Sequence, residues 1–288
     1  MSPVNRALCL PGGAQDGAWQ AGAALGCAEI YPEESPFNRF YGVSVGILNG
    51  MKLAQGRDFK RQCEKLCYLW SEITTPDVYK AGSFLTILWE MGIHDTKPLF
   101  DMMKREWDVD AFRQTGFTLK AGAVNLETRE YGLFDARDPE FLKGALASAA
   151  FPALFPPVEI NGYLYADGGI QNVSPIKAAI DDGADEIVVL LPAAKNLTPA
   201  PKPVNTLGVL TNALDCMMRE VTENDIKMAR MYNRLIAAGE DCEEKRLIDI
   251  KVYRAKKPLP TQLMCFDPKI SLEIMDMGYD VVVNGQYQ

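Results

Sequence analysis

The sequence predicts a three-layer α/β/α fold in which a mostly parallel central sheet lies between helices. Short apolar stretches at 6–10 and 37–43 have the length and composition of buried strands. Each is followed by a segment that predicts a helix, over 17–25 and 45–54 respectively. Strands joined through helices in this way run parallel to each other, which places the helices on the faces of the sheet.

The rest of the chain continues the alternation of strands and helices. Strands are predicted over 117–124, 129–134, 163–166, 186–191 and 247–253, and helices over 58–73, 140–150, 175–182, 204–238 and 268–277. Residues 78–92 are dense in large apolar side chains and predict a core helix or, alternatively, a lid or wall of an acyl-binding channel. No repeat or boundary interrupts the 288 residues, so we expect one domain over 1–288, in which the elements of 204–288 pack on the preceding part.

Composition argues against several classes of protein. The net charge of −8 disfavours nucleic-acid binding and strong electrostatic docking on an anionic membrane. No stretch approaches about 18 consecutive apolar residues, so no transmembrane segment is expected. Seven cysteines without an N-terminal export signal indicate reduced thiols, and hence a cytoplasmic protein that could still contact a membrane peripherally. The single histidine, His94, argues against a two-histidine metal site.

Residues Gly42-Val43-Ser44-Val45-Gly46 form a G-x-S-x-G motif between the second predicted strand and the helix after it. In a nucleophile elbow, this motif holds the serine on a sharp turn with its oxygen above the sheet and a helix N-terminus beneath it. The flanking glycines remove side chains that would collide where the strand passes into the helix. Ser44 is therefore a candidate nucleophile; the alternative is a tight strand–helix connection with an idle serine.

Two further glycine-rich corners follow predicted strands. The loop Pro11-Gly12-Gly13-Ala14-Gln15-Asp16-Gly17 matches neither common phosphate-binding pattern, so its backbone amides are better candidates for an oxyanion hole. Asp167-Gly168-Gly169 places a carboxylate beside two residues without side chains, which leaves room for another group to approach. On its own, this second corner is better explained as a structural Asp-Gly turn.

Taken together and in this order, the three motifs resemble those of the patatin-like phospholipase family. Gly17–Gly22 and Gly42–Asn49 are similar to the helix start after the family's oxyanion loop and to its nucleophile segment. Ala147–Pro157 and Asp167–Pro175 are similar to its second half, so the resemblance covers about residues 6–190. It implies a patatin-like fold and a lipid acyl-ester hydrolase of the phospholipase A, lysophospholipase or acylglycerol lipase type.

The resemblance also implies roles for individual residues. Ser44 would attack the ester carbonyl, and Asp167 would accept its proton and later activate water on the acyl-enzyme. The oxyanion would be bound by the backbone amides of Gly12, Gly13 and Ala14. The motifs would be supported by further glycines: Gly17, Gly42, Gly46, Gly168 and Gly169. Chain order agrees with a dyad, because an α/β-hydrolase triad needs its histidine after the acid, whereas His94 precedes Asp167.

No metal or organic cofactor is expected, and the expected partner is a lipid or other acyl ester rather than nucleic acid. Two alternatives stay open: a weak or inactive patatin-fold protein that binds lipid or regulates, and an acyltransferase that uses the same dyad. Head group, chain length and oligomeric state are not predicted.

Two residues depart from the family pattern. Ala14 stands where the family has a third glycine, so its amide can donate only from a negative φ or with some strain. Asp16 stands where the family commonly has Arg or Lys. We expect its charge to repel the oxyanion and an anionic phosphate, which argues against phospholipid as the preferred substrate.

Overall fold

The fold is organised around one sheet. The computed structural model describes residues 4–83, 90–195, 202–203, 205–240, 247–262, 264–285 and 287. Its strands are β1 (Arg6–Leu10), β2 (Arg39–Gly42), β3 (Thr118–Asn125), β4 (Tyr131–Asp135), β5 (Val158–Ile160), β6 (Tyr163–Asp167), β7 (Glu186–Leu191) and β8 (Asp249–Arg254). Their order is β5-β6-β3-β2-β1-β7-β8, with β4 paired to β3 off this path. The strands from β3 to β8 in this order are parallel, whereas β4, β5 and β6 form antiparallel pairs.

Helices cover both faces of the sheet. They are α1 (Gly17–Ile30), α2 (Val45–Leu53), α3 (Phe59–Glu72), α4 (Thr75–Val78), α5 (Lys97–Glu106), α6 (Val109–Thr115), α7 (Phe141–Ser148), α8 (Ile176–Asp181), α9 (Thr206–Ala237) and α10 (Pro268–Val283). Because side chains alternate along a strand, Leu8 and Leu10 of β1 join a core with α1, α2, α3 and α10, while Ala7 and Cys9 join a core with α8 and α9. The predicted three-layer α/β/α fold is confirmed.

The helices α1 and α10 pack so closely that two contacts admit only glycine. A Cβ added to Gly22 would overlap with the carbonyl group of Met275, and one added to Gly278 would overlap with the carbonyl oxygen of Trp19. The C-terminal part of the chain therefore packs directly on the first helix, and β8 extends the sheet beside β7. On these contacts we propose that the chain forms the single domain that its sequence predicts.

The structure corrects the prediction for several short segments. The helix predicted over 78–92 is wrong in its described parts, 79–83 and 90–92, which are not helical. Lys80 instead forms an isolated antiparallel bridge with Asp95. The six residues between these parts, 84–89, lie outside the described residues, and the prediction of a helix or lid is not tested there. The elements α4, α6 and β5 were not predicted, because they are too short to show a period in hydrophobicity.

The contact between α1 and α10 leads to a stability prediction. We expect Gly22→Ala to destabilise the protein by about 3 kcal/mol, because the new methyl group would force two helix backbones apart. Gly50→Ala is the matched control: Gly50 also lies inside a helix, but its Cβ would meet only the ends of flexible side chains, the nearest being Leu119 at 3.2 Å and Leu10 at 3.5 Å. Its effect should stay within about 1 kcal/mol. Urea unfolding measures both, and equal losses would show that Gly22 does not set the helix spacing.

Candidate active site

Ser44 occupies the sharp turn between β2 and α2. Its backbone has φ 55° and ψ −130°, a conformation that costs a residue with a side chain about 1–3 kcal/mol. Close backbone contacts hold this turn: a Cβ on Gly46 would overlap with the Leu10 carbonyl oxygen, and one on Gly42 with the first turn of α2. The Ser44 amide donates a hydrogen bond of 2.9 Å to Oγ of Ser148, on α7. These contacts give Ser44 the strained geometry that a nucleophile elbow requires.

Asp167 reaches Ser44 because two strands share one edge of β3. The other edge is occupied by β4 over residues 120–124, so β2 and β6 must meet on the remaining edge. Gly42, at the end of β2, pairs with Ala121, and Asp167, at the end of β6, pairs with Ala123. The two strands approach each other from opposite directions along β3. Their C-terminal ends therefore meet on this edge of β3, which brings Ser44 next to Asp167.

The Asp167 carboxyl is buried, with 1% of its surface exposed. Its Oδ1 accepts a hydrogen bond of 2.8 Å from the Gly169 amide, whereas Oδ2 has no hydrogen-bond partner in the described part of the chain. Burial raises the pKa of Asp167 to about 7, against opposing effects of the Gly169 amide and the Ser44 hydroxyl. The hydroxyl is thus near enough to act on the carboxyl, although no hydrogen bond joins it to Oδ2. One carboxylate oxygen remains free to accept a proton near neutral pH.

The glycine-rich loop after β1 lies directly beside Ser44. A Cβ on Gly12 would come within 3.0 Å of the Ser44 Cβ, so the backbone here approaches the serine as closely as packing allows. Gly13 has φ 154° and Ala14 has φ 47°. Ala14 therefore adopts the left-handed conformation that its missing family glycine would take, at a strain of about 1–2 kcal/mol. The loop therefore lies against Ser44, and its backbone is strained at Ala14.

The other glycines of the three motifs also lie at close contacts. An added Cβ would overlap with side chains at Gly17 and Gly169, and with the backbone of Gly122 at Gly168. At each of these glycines, neighbouring atoms lie closer than they could to a residue with a side chain.

A buried polar network supports the loop from below, and its residues were not predicted as site residues. The Gln20 side-chain amide donates to the carbonyl oxygen of Pro11 at 2.7 Å. The Asn49 amide donates to the Gly17 carbonyl at 2.9 Å and to Oε1 of Gln20 at 3.0 Å, and the Trp70 indole donates to Oδ1 of Asn49 at 2.9 Å. The signal in the sequence was a single amide side chain on each of two otherwise small and apolar helices, α1 and α2.

A pocket of about 410 Å³ opens beside Ser44 and Asp167. The wall that α2, α3 and α5 form is apolar and consists of Leu48, Leu66, Leu69, Trp70, Leu99 and Met102. The wall that α9 and the segment before α10 form carries polar side chains: Thr211, Asn212, Asp215, Arg219, Thr261 and Gln262. The pocket can therefore hold an apolar chain on one side and a polar group on the other.

Asp16 lines the same pocket, beside the glycine-rich loop. Its Oδ1 accepts a hydrogen bond of 2.6 Å from the Thr261 hydroxyl, and its Oδ2 is 3.7 Å from the position that a Cβ on Gly13 would take. Burial raises the pKa of Asp16 to about 6, while Thr261 and Arg219 oppose the shift and Asp215 adds to it. Asp16 thus lies where the sequence places it, with a hydroxyl and a guanidinium that stabilise its charge.

His94 contributes to a cluster of rings rather than to the dyad. Its ring lies 4.4 Å from that of Tyr79 and 6.2 Å from that of Phe155, and its Nδ1 accepts a hydrogen bond from the Gly82 amide at 3.3 Å. Among the described residues, no group of His, Cys, Asp and Glu side chains is arranged to hold a metal ion. The helices in those same residues include none that is both long and apolar enough to cross a bilayer.

The Ser44–Ser148 hydrogen bond leads to a second stability prediction. Ser148→Ala should destabilise the protein by about 1–3 kcal/mol, because it leaves the Ser44 amide without its acceptor. Ser174→Ala is the matched control, since Ser174 is as deeply buried but its Oγ has no hydrogen-bond partner among the described residues. That variant should keep or slightly gain stability in urea unfolding. A loss at Ser174 as large as that at Ser148 would contradict the importance of this bond.

The sequence of this chain matches a known protein family. Residues 8–180 match the family described as patatin-like phospholipase, whose members are lipid acyl hydrolases. The solved structure of VipD from Legionella pneumophila is similar over 98% of this chain and 66% of the VipD chain, with 13% identity and a TM-score of 0.49; the chain thus spans less than two thirds of VipD. A search of curated proteins found no match. Because the family match extends over more than half of its residues, this chain belongs to the patatin-like phospholipase family.

Proposed function

We propose that the protein is a lipid acyl-ester hydrolase that works through a dyad of Ser44 and Asp167. The observation that carries this proposal is the buried Asp167 carboxyl, whose unpartnered Oδ2 lies beside a serine held on a strained turn. A carboxyl with a strongly raised pKa in a pocket is typical of a catalytic base. Membership of a family of lipid acyl hydrolases supports the same assignment.

In the first half of the reaction, Ser44 Oγ attacks the ester carbonyl carbon and its proton passes to Asp167 Oδ2. A pKa of about 7 makes Asp167 a much stronger base than an exposed carboxylate, yet leaves it largely deprotonated just above neutral pH. Negative charge develops on the carbonyl oxygen, where the amides of Gly12, Gly13 and Ala14 are proposed to donate. The tetrahedral intermediate then releases the alcohol, which takes the proton from Asp167 and leaves the acyl group on Ser44.

The second half uses the same groups. Water attacks the acyl carbonyl while Asp167 accepts its proton. As the intermediate collapses, the proton passes to Ser44 Oγ and the fatty acid leaves. In each half of the reaction Asp167 accepts one proton and then releases it, so the cycle closes without an imidazole.

The pocket supports a substrate with an apolar acyl chain and an uncharged head group. We place the acyl chain against the apolar wall of α2, α3 and α5, and the alcohol against the polar wall. The charge of Asp16 disfavours an anionic phosphate near the loop, which supports an acylglycerol over an anionic phospholipid. Thr261 and Arg219 stabilise that charge, so Asp16 favours an altered specificity more than it favours a lipid-binding protein without activity.

Free thiols support a cytoplasmic location. Six cysteines lie within the described residues, and all six are free: Cys9, Cys27, Cys63, Cys67, Cys216 and Cys265. Thiols persist in a reducing compartment. We propose that the enzyme works there and meets its substrate at a lipid surface.

Substitutions in the dyad test the proposed mechanism. Ser44→Ala and Asp167→Asn should each lower hydrolysis of a p-nitrophenyl ester by about a thousandfold or more, since they remove the two partners of one proton transfer. A fluorophosphonate probe should label the wild type and leave Ser44→Ala unlabelled. His94→Ala is the control and should keep most of the activity, because His94 stacks on Tyr79 and serves no proposed step. Near wild-type turnover in Asp167→Asn would rule out the dyad.

The pH profile tests the raised pKa of Asp167. Only the deprotonated carboxyl can accept the serine proton, so kcat/KM should rise about tenfold per pH unit on the acid side and level off above a midpoint near 7. Asp16→Asn should keep this midpoint, because Asp16 has a pKa of about 6 and is not the base. A midpoint near 4, or one that disappears in Asp16→Asn, would assign the base to a different group.

A further inference from the structure

The helix α9 has two faces that could pack against a partner, and the protein buries only one of them. Thr211, Thr222, Ile226 and Ala229 of the first face are all buried, and Ile226 and Ala229 join the core formed with the sheet and α8. The opposite face carries an exposed apolar row, in which the exposed fractions run from 38% to 59% for Leu210, Met217, Met228, Met231 and Leu235. Exposed apolar rows of this length mark an interaction surface. We call this row, with the half-buried Leu214 and Val221, the α9 stripe.

The spacing of the α9 stripe is that of a coiled coil. Its residues alternate three and four positions apart, at 210, 214, 217, 221, 224, 228, 231 and 235. All are apolar except Asn224. A spacing of 3.5 residues maintained over more than three heptads predicts packing against another helix, and a single polar residue in the seam typically fixes its register. The stripe therefore has the form of a helix-pairing seam.

A lipid surface fits this stripe poorly. Of the α9 residues that line the pocket, Asn212, Asp215 and Arg219 lie on a different side of the helix from the stripe, whereas Thr211 and Met218 flank it. A membrane that faced Asp215 and Arg219 would leave most of the stripe in water. The net charge of −8 also weakens attraction to anionic lipid. Another helix is therefore a better partner for the α9 stripe than a lipid surface is.

We propose that the α9 stripe forms an antiparallel coiled coil with α9 of a second copy of this chain. A twofold axis between Val221 and Asn224 pairs every seam residue with a seam residue of the second copy: Leu210 with Leu235, Leu214 with Met231, Met217 with Met228, and Val221 with Asn224. In an antiparallel coiled coil, the a positions of one helix face the d positions of the other. Each of these pairs joins an a position to a d position, and a single twofold axis relates them all. The heptad pattern of α9 is therefore self-complementary, as a twofold interface requires.

The charges beside the seam favour this partner and this direction. Glu220 and Lys227 are exposed on the same flank of the stripe, one heptad apart. In the antiparallel arrangement, Glu220 of each chain faces Lys227 of the other, which gives two ion pairs related by the twofold axis. In a parallel arrangement, Glu220 would face Asp225 of the second copy, and two pairs of like charges would oppose association. Opposite charges therefore meet only in the antiparallel dimer.

Charge exchange in the full chain tests this dimer by sedimentation equilibrium. The wild type should have twice its monomer mass of 31.9 kDa at micromolar concentration. Glu220→Lys and Lys227→Glu should each raise the dissociation constant at least about tenfold, because each turns two attractive pairs into two repulsive ones. The double exchange restores both pairs and should return the constant to within about threefold of wild type. Glu64→Lys, an exposed charge reversal on α3, is the matched control and should have no effect.

Three outcomes would overturn the proposal. A wild-type protein that stays monomeric at about 100 μM would exclude the dimer. Tighter association in Glu220→Lys indicates the parallel arrangement. A dimer that Met217→Glu and the charge reversals leave unchanged uses another surface. Urea unfolding reports on the folding of every variant, so this test does not depend on the proposed reactivity of Ser44.

Discussion

The close approach of α2 to the end of β1 is the constraint on which the site depends. The Val43 amide donates to the carbonyl oxygen of Leu10 at 3.2 Å, and Gly46 lies against the same oxygen without space for a side chain. The loop that begins at Pro11 is thereby pressed against Ser44, with Gly12 at the limit of contact. The positive φ of Ser44 and the position of the amides are two consequences of one backbone approach. A larger residue at position 46 would separate the nucleophile from its proposed oxyanion donors.

Burial of Asp167 raises the pKa of the proposed base and lowers the stability of the fold. Raising its pKa from 3.8 to about 7 makes the ionised folded state less favourable by about 4 kcal/mol. Between about pH 4 and 7 this carboxyl is ionised in the unfolded chain but still protonated in the folded chain. The free energy of unfolding therefore falls as pH rises through this range, and the loss is complete above pH 7. The surrounding structure must offset this term. The buried network of Gln20, Asn49 and Trp70 and the packing of α1 on α10 are where the described residues do so.

How well the sequence predicted each part depends on how local its determinants are. The elbow at Ser44 is set by glycines within two residues, so its motif predicted its geometry. The approach of Asp167 depends on β2 and β6 sharing one edge of β3, and no local pattern in these three distant segments encodes that pairing. The pairing of Ser148 with the Ser44 amide was missed for the same reason. The helix predicted over 78–92 is wrong at residues 79–83 and 90–92, because apolar density does not by itself show where a helix begins and ends.

The effect of Asp16 depends on where negative charge moves during the reaction. The first step does not create a charge, because Asp167 becomes neutral as the oxyanion forms. A nearby carboxylate therefore changes the barrier of this step only if its distance to Asp167 differs from its distance to the oxyanion. Asp16 is not among the groups that shift the pKa of Asp167, whereas its Oδ2 lies beside Gly13.

Charge thus moves toward Asp16 in the proposed mechanism, which opposes the reaction. Arg219 attracts the same charge, and at pH 7 a carboxyl with a pKa of about 6 is about nine-tenths ionised. The two effects have opposite signs on the oxyanion. For a substrate with an anionic head group, Asp16, Asp215 and Arg219 act together: Arg219 pairs with Asp215 at 2.8 Å, so the three side chains leave a net negative charge in the pocket. In the proposed mechanism we therefore expect these charges to disfavour an anionic head group more strongly than they slow the chemistry common to all esters.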